Sequence, residues 1–180
     1  MKKKVNIVID ALINSIRNIV SGEVFDTVVI KVAESDFKFL KKGWAFNWIQ
    51  ESKDYSVYKL TTRENPEIIQ GLVSIRKNVD HIFINLIENA SFNIGKNRVY
   101  EGVAGNLFAF ACKFSMDSGY LGNVSFVAKT NLISHYEETI GARRFGTSNI
   151  MAIDYFAAQQ FIQKYFKENL RWDSLRNLKV

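Results

Sequence analysis

Residues 81–141 read HIFINLIENASFNIGKNRVYEGVAGNLFAFACKFSMDSGYLGNVSFVAKTNLISHYEETIG, and the order of patterns within them decides the fold. His81 to Ile87 is short and almost wholly apolar, which predicts a central strand buried on both faces. A polar loop containing Gly95 runs from Glu88 to about Tyr100. Val103, Leu107, Ala111 and Phe114 then fall on one face of a helix expected over about 103–118 and ended by Gly119. Residues 123–129 predict a second strand. Thr130 is a suitable N-cap for the next helix, which starts there or at Asn131, carries Leu132, Ile133, Tyr136 and Ile140, and stops at Gly141. Strand, helix and strand in that order predict parallel pairing through a right-handed crossover.

Working outward, residues 56–62 and 68–76 predict two strands joined by a turn at Pro66, so 56–87 reads as a three-strand meander. Residues 27–33 are β-branched and predict a further strand. In residues 6–20, Leu12, Ile16, Ile19 and Val20 recur at helical spacing before Ser21-Gly22, which predicts an N-terminal helix. Ser35-Asp36 suits the cap of a short helix through Leu40, and residues 44–48 are open between helix and strand. A last strand is expected over 148–153. A C-terminal helix is expected over about 154–168, capped by Asp154 and packing Phe161, Ile162, Tyr165 and Phe166. The fold class is therefore α/β (α+β), with a mixed, mostly antiparallel sheet, one parallel pair and helices on both faces. A single domain spanning 1–180 is expected, because the only proline is Pro66 and no Pro/Gly/Ser linker divides the chain.

Composition narrows the function. With one cysteine, Cys112, and two histidines, His81 and His135, a zinc site of the usual kind is not expected. Cys112 lies in an apolar run and reads as an inert buried thiol. The apolar residues after the basic start Met1-Lys2-Lys3-Lys4 are broken by Asn6, Asp10 and Asn14, so neither a signal peptide nor a membrane span is expected, and the location expected is cytoplasmic. The net charge is +6. A nucleic-acid role is not expected from it, since no basic stripe with aromatic stacking partners can be assembled from the sequence alone. An anionic cofactor also suits a basic surface.

The chemistry concentrates in the segment quoted above. Gly102, Val103, Ala104, Gly105 and Asn106 stand where a helix begins. Glycines there admit a ligand close to the backbone, and free N–H groups at the positive end of a helix dipole suit phosphate. Small residues also allow close packing of helix on sheet, and the residues alone leave both readings open.

Together these segments resemble the GNAT superfamily of N-acyltransferases, whose Q/R-x-x-G-x-G/A loop enters a helix after a central strand. Gly102-Val103-Ala104 matches G-x-A. Asn131, Tyr136 and Gly141 match the later N…Y…G pattern, and HYEETIGARRF is similar to the family's phrase around that tyrosine. The resemblance covers roughly residues 56–150. It departs at Val99, where Gln or Arg is usual and Arg98 stands beside it. The spacing from Tyr136 to Gly141 is also one residue longer than usual, and Ala142 replaces a common Phe.

The resemblance implies an acetyl-CoA-dependent N-acetyltransferase acting on a small-molecule or protein amine. It places the pyrophosphate on the N–H groups of Val103 through Asn106 and a thioester-polarising N–H near Ile87 or Glu88. It makes Tyr136 the acid for the departing thiolate and gives Asn131 a cofactor or substrate contact. Glu88 takes the place of a carboxylate base or substrate contact, and a plain loop acid is the other reading. Tyr136 is otherwise an aromatic on its helix's apolar face. Trp44, Phe46 and Trp48 are candidates to line an apolar acceptor pocket or to be core; Glu101 and Asp54 offer anionic contacts. His81 is expected to be structural and His135 to lie on the surface. No metal is implied, and homodimerisation is open. The alternative function is a GNAT-fold protein that binds a ligand or partner without catalysis.

Overall fold

The computed structural model describes residues 8–166. They form β1 (Val8–Asn18), β2 (Val24–Lys31), α1 (Phe37–Leu40), α2 (Trp48–Asp54), β3 (Ser56–Thr62), β4 (Ile69–Lys77), β5 (Ile82–Asn89), β6 (Tyr100–Glu101), α3 (Val103–Asp117), β7 (Val124–Val127), α4 (Ile133–Ile140), β8 (Arg143–Arg144), β9 (Ile150–Ile153) and α5 (Tyr155–Tyr165). The chain divides into two compact units, exchanging between them after Ser74, Asn85 and Leu107. The basic start and residues 167–168 of the expected tail helix lie outside the described residues.

In the first unit the strand order is β6-β1-β2-β3-β4. The pairings of β1 with β2, β1 with β6 and β2 with β3 are antiparallel. The expected helix over 6–20 is instead β1. Leu12 and Ile16, four apart, share a face in a strand as well as in a helix, and both are buried. The i+3 partner Ile19 and its neighbour Val20 carried the helical signal, yet they are 39% and 95% exposed. Ser21-Gly22 is not a helix stop but part of the β1–β2 turn, where Asn18 Oδ1 accepts from the N–H groups of Val20 and Ser21. α2 starts at an Asn47 cap, whose Oδ1 accepts from Gln50 N–H. One core cluster of this unit joins Leu40, Trp48, Val57, Ile69 and Leu72. Beside it the buried Lys59 ammonium donates to Asp36 Oδ1 at 2.6 Å, and Asp36 Oδ2 accepts from Ala33 N–H at 2.9 Å.

The second unit has the strand order β5-β7-β9-β8. β5 and β7 pair in parallel, Ile82 with Val124, Phe83 with Ser125 and Ile84 with Phe126. β7–β9 and β8–β9 are antiparallel. The expected mixed sheet, mostly antiparallel with a parallel pair, is thus observed. β5 is not buried on both faces: Ile82 and Ile84 are buried, whereas Asn85 is exposed and Leu86 and Ile87 are half-buried. α3 matches its expected span. Thr130 does not cap α4. It lies in a 3-10 turn (Thr130–Leu132), and its hydroxyl accepts from Asn149 Nδ2 at 3.1 Å. Asp154 does cap α5, accepting from Ala157 N–H at 3.0 Å. Cys112 is buried, and burial pushes its thiol pKa up, as expected of an inert thiol.

The Asp36–Lys59 pair sets a prediction for the first unit. Asp36→Ala leaves a buried ammonium without its partner and should lower the unfolding free energy by about 3–5 kcal/mol. Adding Lys59→Met should recover much of that loss in denaturant titrations. A loss under about 1 kcal/mol for Asp36→Ala would contradict the buried pairing.

Candidate active site

The entrance to α3 is built by a close approach to β1. Gly102 has φ +94°, and a Cβ there would stand 2.8 Å from Ser15 O. The glycine is therefore needed by β1, whatever ligand the loop receives. Asn106 fixes the same turn. Its Nδ2 donates to Ser15 O and Gly102 O, both at 2.7 Å, and its Oδ1 accepts from Thr27 Oγ1 at 3.2 Å. Its backbone N–H donates to Gly102 O at 3.0 Å. Asn106 is thus a buried structural hub, and the expectation that its N–H faces a phosphate is corrected. Val103, Ala104 and Gly105 precede this first helical bond, so their N–H groups have no acceptor within α3. Val103 closes onto β4 at Gly71, where a Cβ would lie 2.8 Å from Val103 Cγ1 and 3.1 Å from Leu107 Cδ1. The packing reading of Gly102 is therefore observed, and Gly71 makes a second close approach of the same kind.

Asn93 was not singled out in the sequence. Buried in the loop between β5 and β6, its Nδ2 donates to Gln70 O and Oε1, and its Oδ1 accepts from Tyr100 N–H at 3.1 Å. This polar tether orders a loop that the sequence showed only as polar. An asparagine flanked by apolar residues was its only signal. Glu101 is paired with Arg17 and Arg98, so it is not a spare anion for an amine. Asp54 is exposed at the end of α2.

Glu88, at the end of β5, has both carboxylate oxygens occupied. Oε1 accepts from Ala45 N–H at 2.6 Å; Oε2 accepts from Trp48 Nε1 at 2.7 Å and Phe46 N–H at 3.3 Å. A carboxylate that bridges three donors ties the 44–48 segment to the end of β5. Trp48 is 0% exposed and belongs to the core, which corrects its candidacy as a pocket wall. Trp44 is half-buried, packs against that core, and donates from Nε1 to Phe39 O at 3.1 Å. Ile87 is half-buried on β5.

Tyr136, on α4, sits edge-on to Phe126 and Phe108, with ring centroids 5.2 and 5.7 Å away. α4 is anchored by buried Ile133 and Ile140 and ends at Gly141, whose N–H donates to Tyr136 O. Burial raises the phenol pKa of Tyr136 above its ordinary value. The hydroxyl therefore stays protonated throughout the neutral range. His135 and Asn131 are exposed, and His81 sits in the β4–β5 turn, where its ring bonds Asp80 and Asn78. Among the described residues no cluster of His, Cys, Asp and Glu could hold a metal, and no helix is long and apolar enough to cross a membrane.

No known family profile matches the sequence, and no curated protein matches it. The fold does match solved structures. One is that of AtaTR bound with AcCoA, at 9% identity, covering 76% of this chain and 98% of that one with a TM-score of 0.51. Another is a GNAT-family acetyltransferase from Listeria monocytogenes 4b F2365, at 12% identity, covering 71% and 93% with a TM-score of 0.48. The fold of this chain is GNAT-like.

The tyrosine environments predict an alkaline titration. Burial also raises the pKa of Tyr58 and Tyr165. A group whose folded pKa is raised contributes stability below its unfolded pKa, about 10 for tyrosine, and that contribution is lost as pH climbs through the folded value. Tyrosinate absorbance should show a late-ionising fraction, and Tyr136→Phe should remove one tyrosine from it. Removal of a tyrosine that ionises at or below the ordinary value would contradict the assigned packing.

Proposed function

We propose that the chain is an acetyl-CoA-dependent N-acetyltransferase whose acceptor is an amine of a small molecule or a protein. The observation that carries this reading is the GNAT-like order of strands, in which β5 pairs in parallel with β7 and α3 forms the crossover. The chain is also similar in fold to a protein solved with AcCoA. The N–H groups of Val103, Ala104 and Gly105 receive the pyrophosphate at the positive end of α3. A backbone N–H at Ile87 or Glu88 polarises the thioester carbonyl and stabilises the oxyanion that forms when a neutral amine attacks. Asn131, exposed at the approach to α4, makes a polar contact with cofactor or acceptor.

Tyr136 serves the departing thiolate. Its phenol is a weaker acid than a thiol of pKa about 8.5, so full transfer to the sulfur is uphill. A hydrogen bond that stabilises the thiolate until water protonates it is the role that fits a raised phenol pKa. With Glu88 held by three donors, the amine gives up its proton to water, and Glu88 acts as a positioning residue. Trp44 remains the tryptophan available to an acceptor.

Acetyl-CoA should raise the melting temperature, by an amount corresponding to about 2.7 kcal/mol at 100 times its Kd. Tyr136→Phe should keep that shift while lowering thiol release with a panel of primary amines about 100-fold. No shift at millimolar acetyl-CoA would overturn the assignment, and unchanged turnover would remove Tyr136 from its role.

A further inference from the structure

We propose that residues 38–46 form a binding surface for single-stranded nucleic acid, with lysines meeting phosphates and exposed aromatic rings stacking on bases. Residues 37–50 contain Lys38, Lys41 and Lys42 and no acidic residue. All three ammonium groups are on exposed residues. α1 is fixed from within by buried Leu40 and by Phe37, which packs against the Trp48–Leu72 cluster. Lys38 and Lys41, three apart, fall side by side on the helical turn. The nearest acid in sequence, Asp36, is consumed by Lys59.

The aromatic residues are held outward. Phe39 and Phe46 are each 41% exposed. Lys38 Nζ lies 4.8 Å from the Phe39 ring centre. The Trp44 indole N–H tied to Phe39 O, and Glu88 tied to the N–H groups of Ala45 and Phe46, fix the backbone from which these rings project. Phe46 is braced edge-on against Trp48, with centroids 6.3 Å apart. Two large apolar rings are therefore kept in water by a hydrogen-bonded scaffold, interleaved with cations. A purely apolar partner would leave the lysines unused, and a simple polyanion would leave the rings unused. Unpaired nucleotides present both a phosphate and a π face, and a duplex hides the latter. The stretch had shown no basic stripe in the sequence because its three lysines are split by Phe39, Leu40 and the turn, and only the fold shows which rings stay outside.

The surface includes Trp44, but its binding is tested without acetyl-CoA, so its failure leaves the acetyl-transfer reading untouched. The measurement is fluorescence anisotropy of the full chain with a labelled oligouridylate across a salt series. Binding at low salt is expected. The variant K38Q/K41Q/K42Q should flatten the log–log salt slope by about 2, because each single-strand phosphate that is no longer neutralised changes it by about 0.7. The variant F39A/F46A should weaken binding by about 5-fold or more with the slope kept. The lysine variant changes only exposed positions, so it decides the matter should the phenylalanine variant be destabilised. Absence of low-salt binding, or affinity and slope unchanged in the lysine variant, would overturn the proposal. So would displacement of the oligonucleotide by polyglutamate of equal length, or by coenzyme A alone, as readily as by unlabelled RNA.

Discussion

Parallel pairing of β5 with β7 is the constraint on which the rest depends. Two parallel neighbours cannot be joined by a tight turn; the chain must travel back before the second strand begins. Here α3 makes that return, and its start must be close to where the β5–β6 loop ends. The price is a helix terminus with donors that no residue of the helix can satisfy. The chain handles the crowding at that terminus with Gly102 against Ser15, Gly71 against Val103, and the Asn106 amide bonded to both neighbouring carbonyls. What remains after those contacts is a short array of N–H groups at Val103, Ala104 and Gly105. The same topological demand that shapes the sheet thus leaves three amide donors at the positive end of a helix.

Polar side chains do much of the positioning. Asn93 tethers the β5–β6 loop to Gln70, and Glu88 draws Ala45, Phe46 and Trp48 to the end of β5. Each of these groups has its hydrogen-bonding capacity largely used, which is what a buried or half-buried polar atom requires. Tyr136 is different. Its ring is enclosed by Phe108 and Phe126, and burial keeps its hydroxyl protonated. The Tyr136 phenol thus lies in aromatic surroundings, whereas the Glu88 carboxylate bridges three donors.

The stretch from β5 to α4 was largely legible because its periodicities were unmixed: a compact apolar run, then a long helical stripe, then an alternating strand. Residues 6–20 were not, because Leu12 and Ile16 lie on one face under either period, and the turn chemistry of Asn18 to Gly22 also suits a helix end. Trp48 illustrates the limit for sites. An indole next to Trp44 and Phe46 in sequence gives no hint that one ring is core and another is exposed; that follows from a cap at Asn47 and from Glu88, forty residues away in the chain. Gly102 was open between ligand approach and close packing, and its close neighbour is the Ser15 carbonyl, a contact no local pattern encodes.

The central claim is that the first turn of α3 receives the anionic end of acetyl-CoA. Backbone amide chemical shifts followed through a titration with acetyl-CoA test it at the atoms concerned. The account predicts saturable shifts that are largest at Val103, Ala104 and Gly105, with Asn106 moving less because its N–H is already held by Gly102. If those three amides stay in place while the cofactor saturates elsewhere, the claim is wrong.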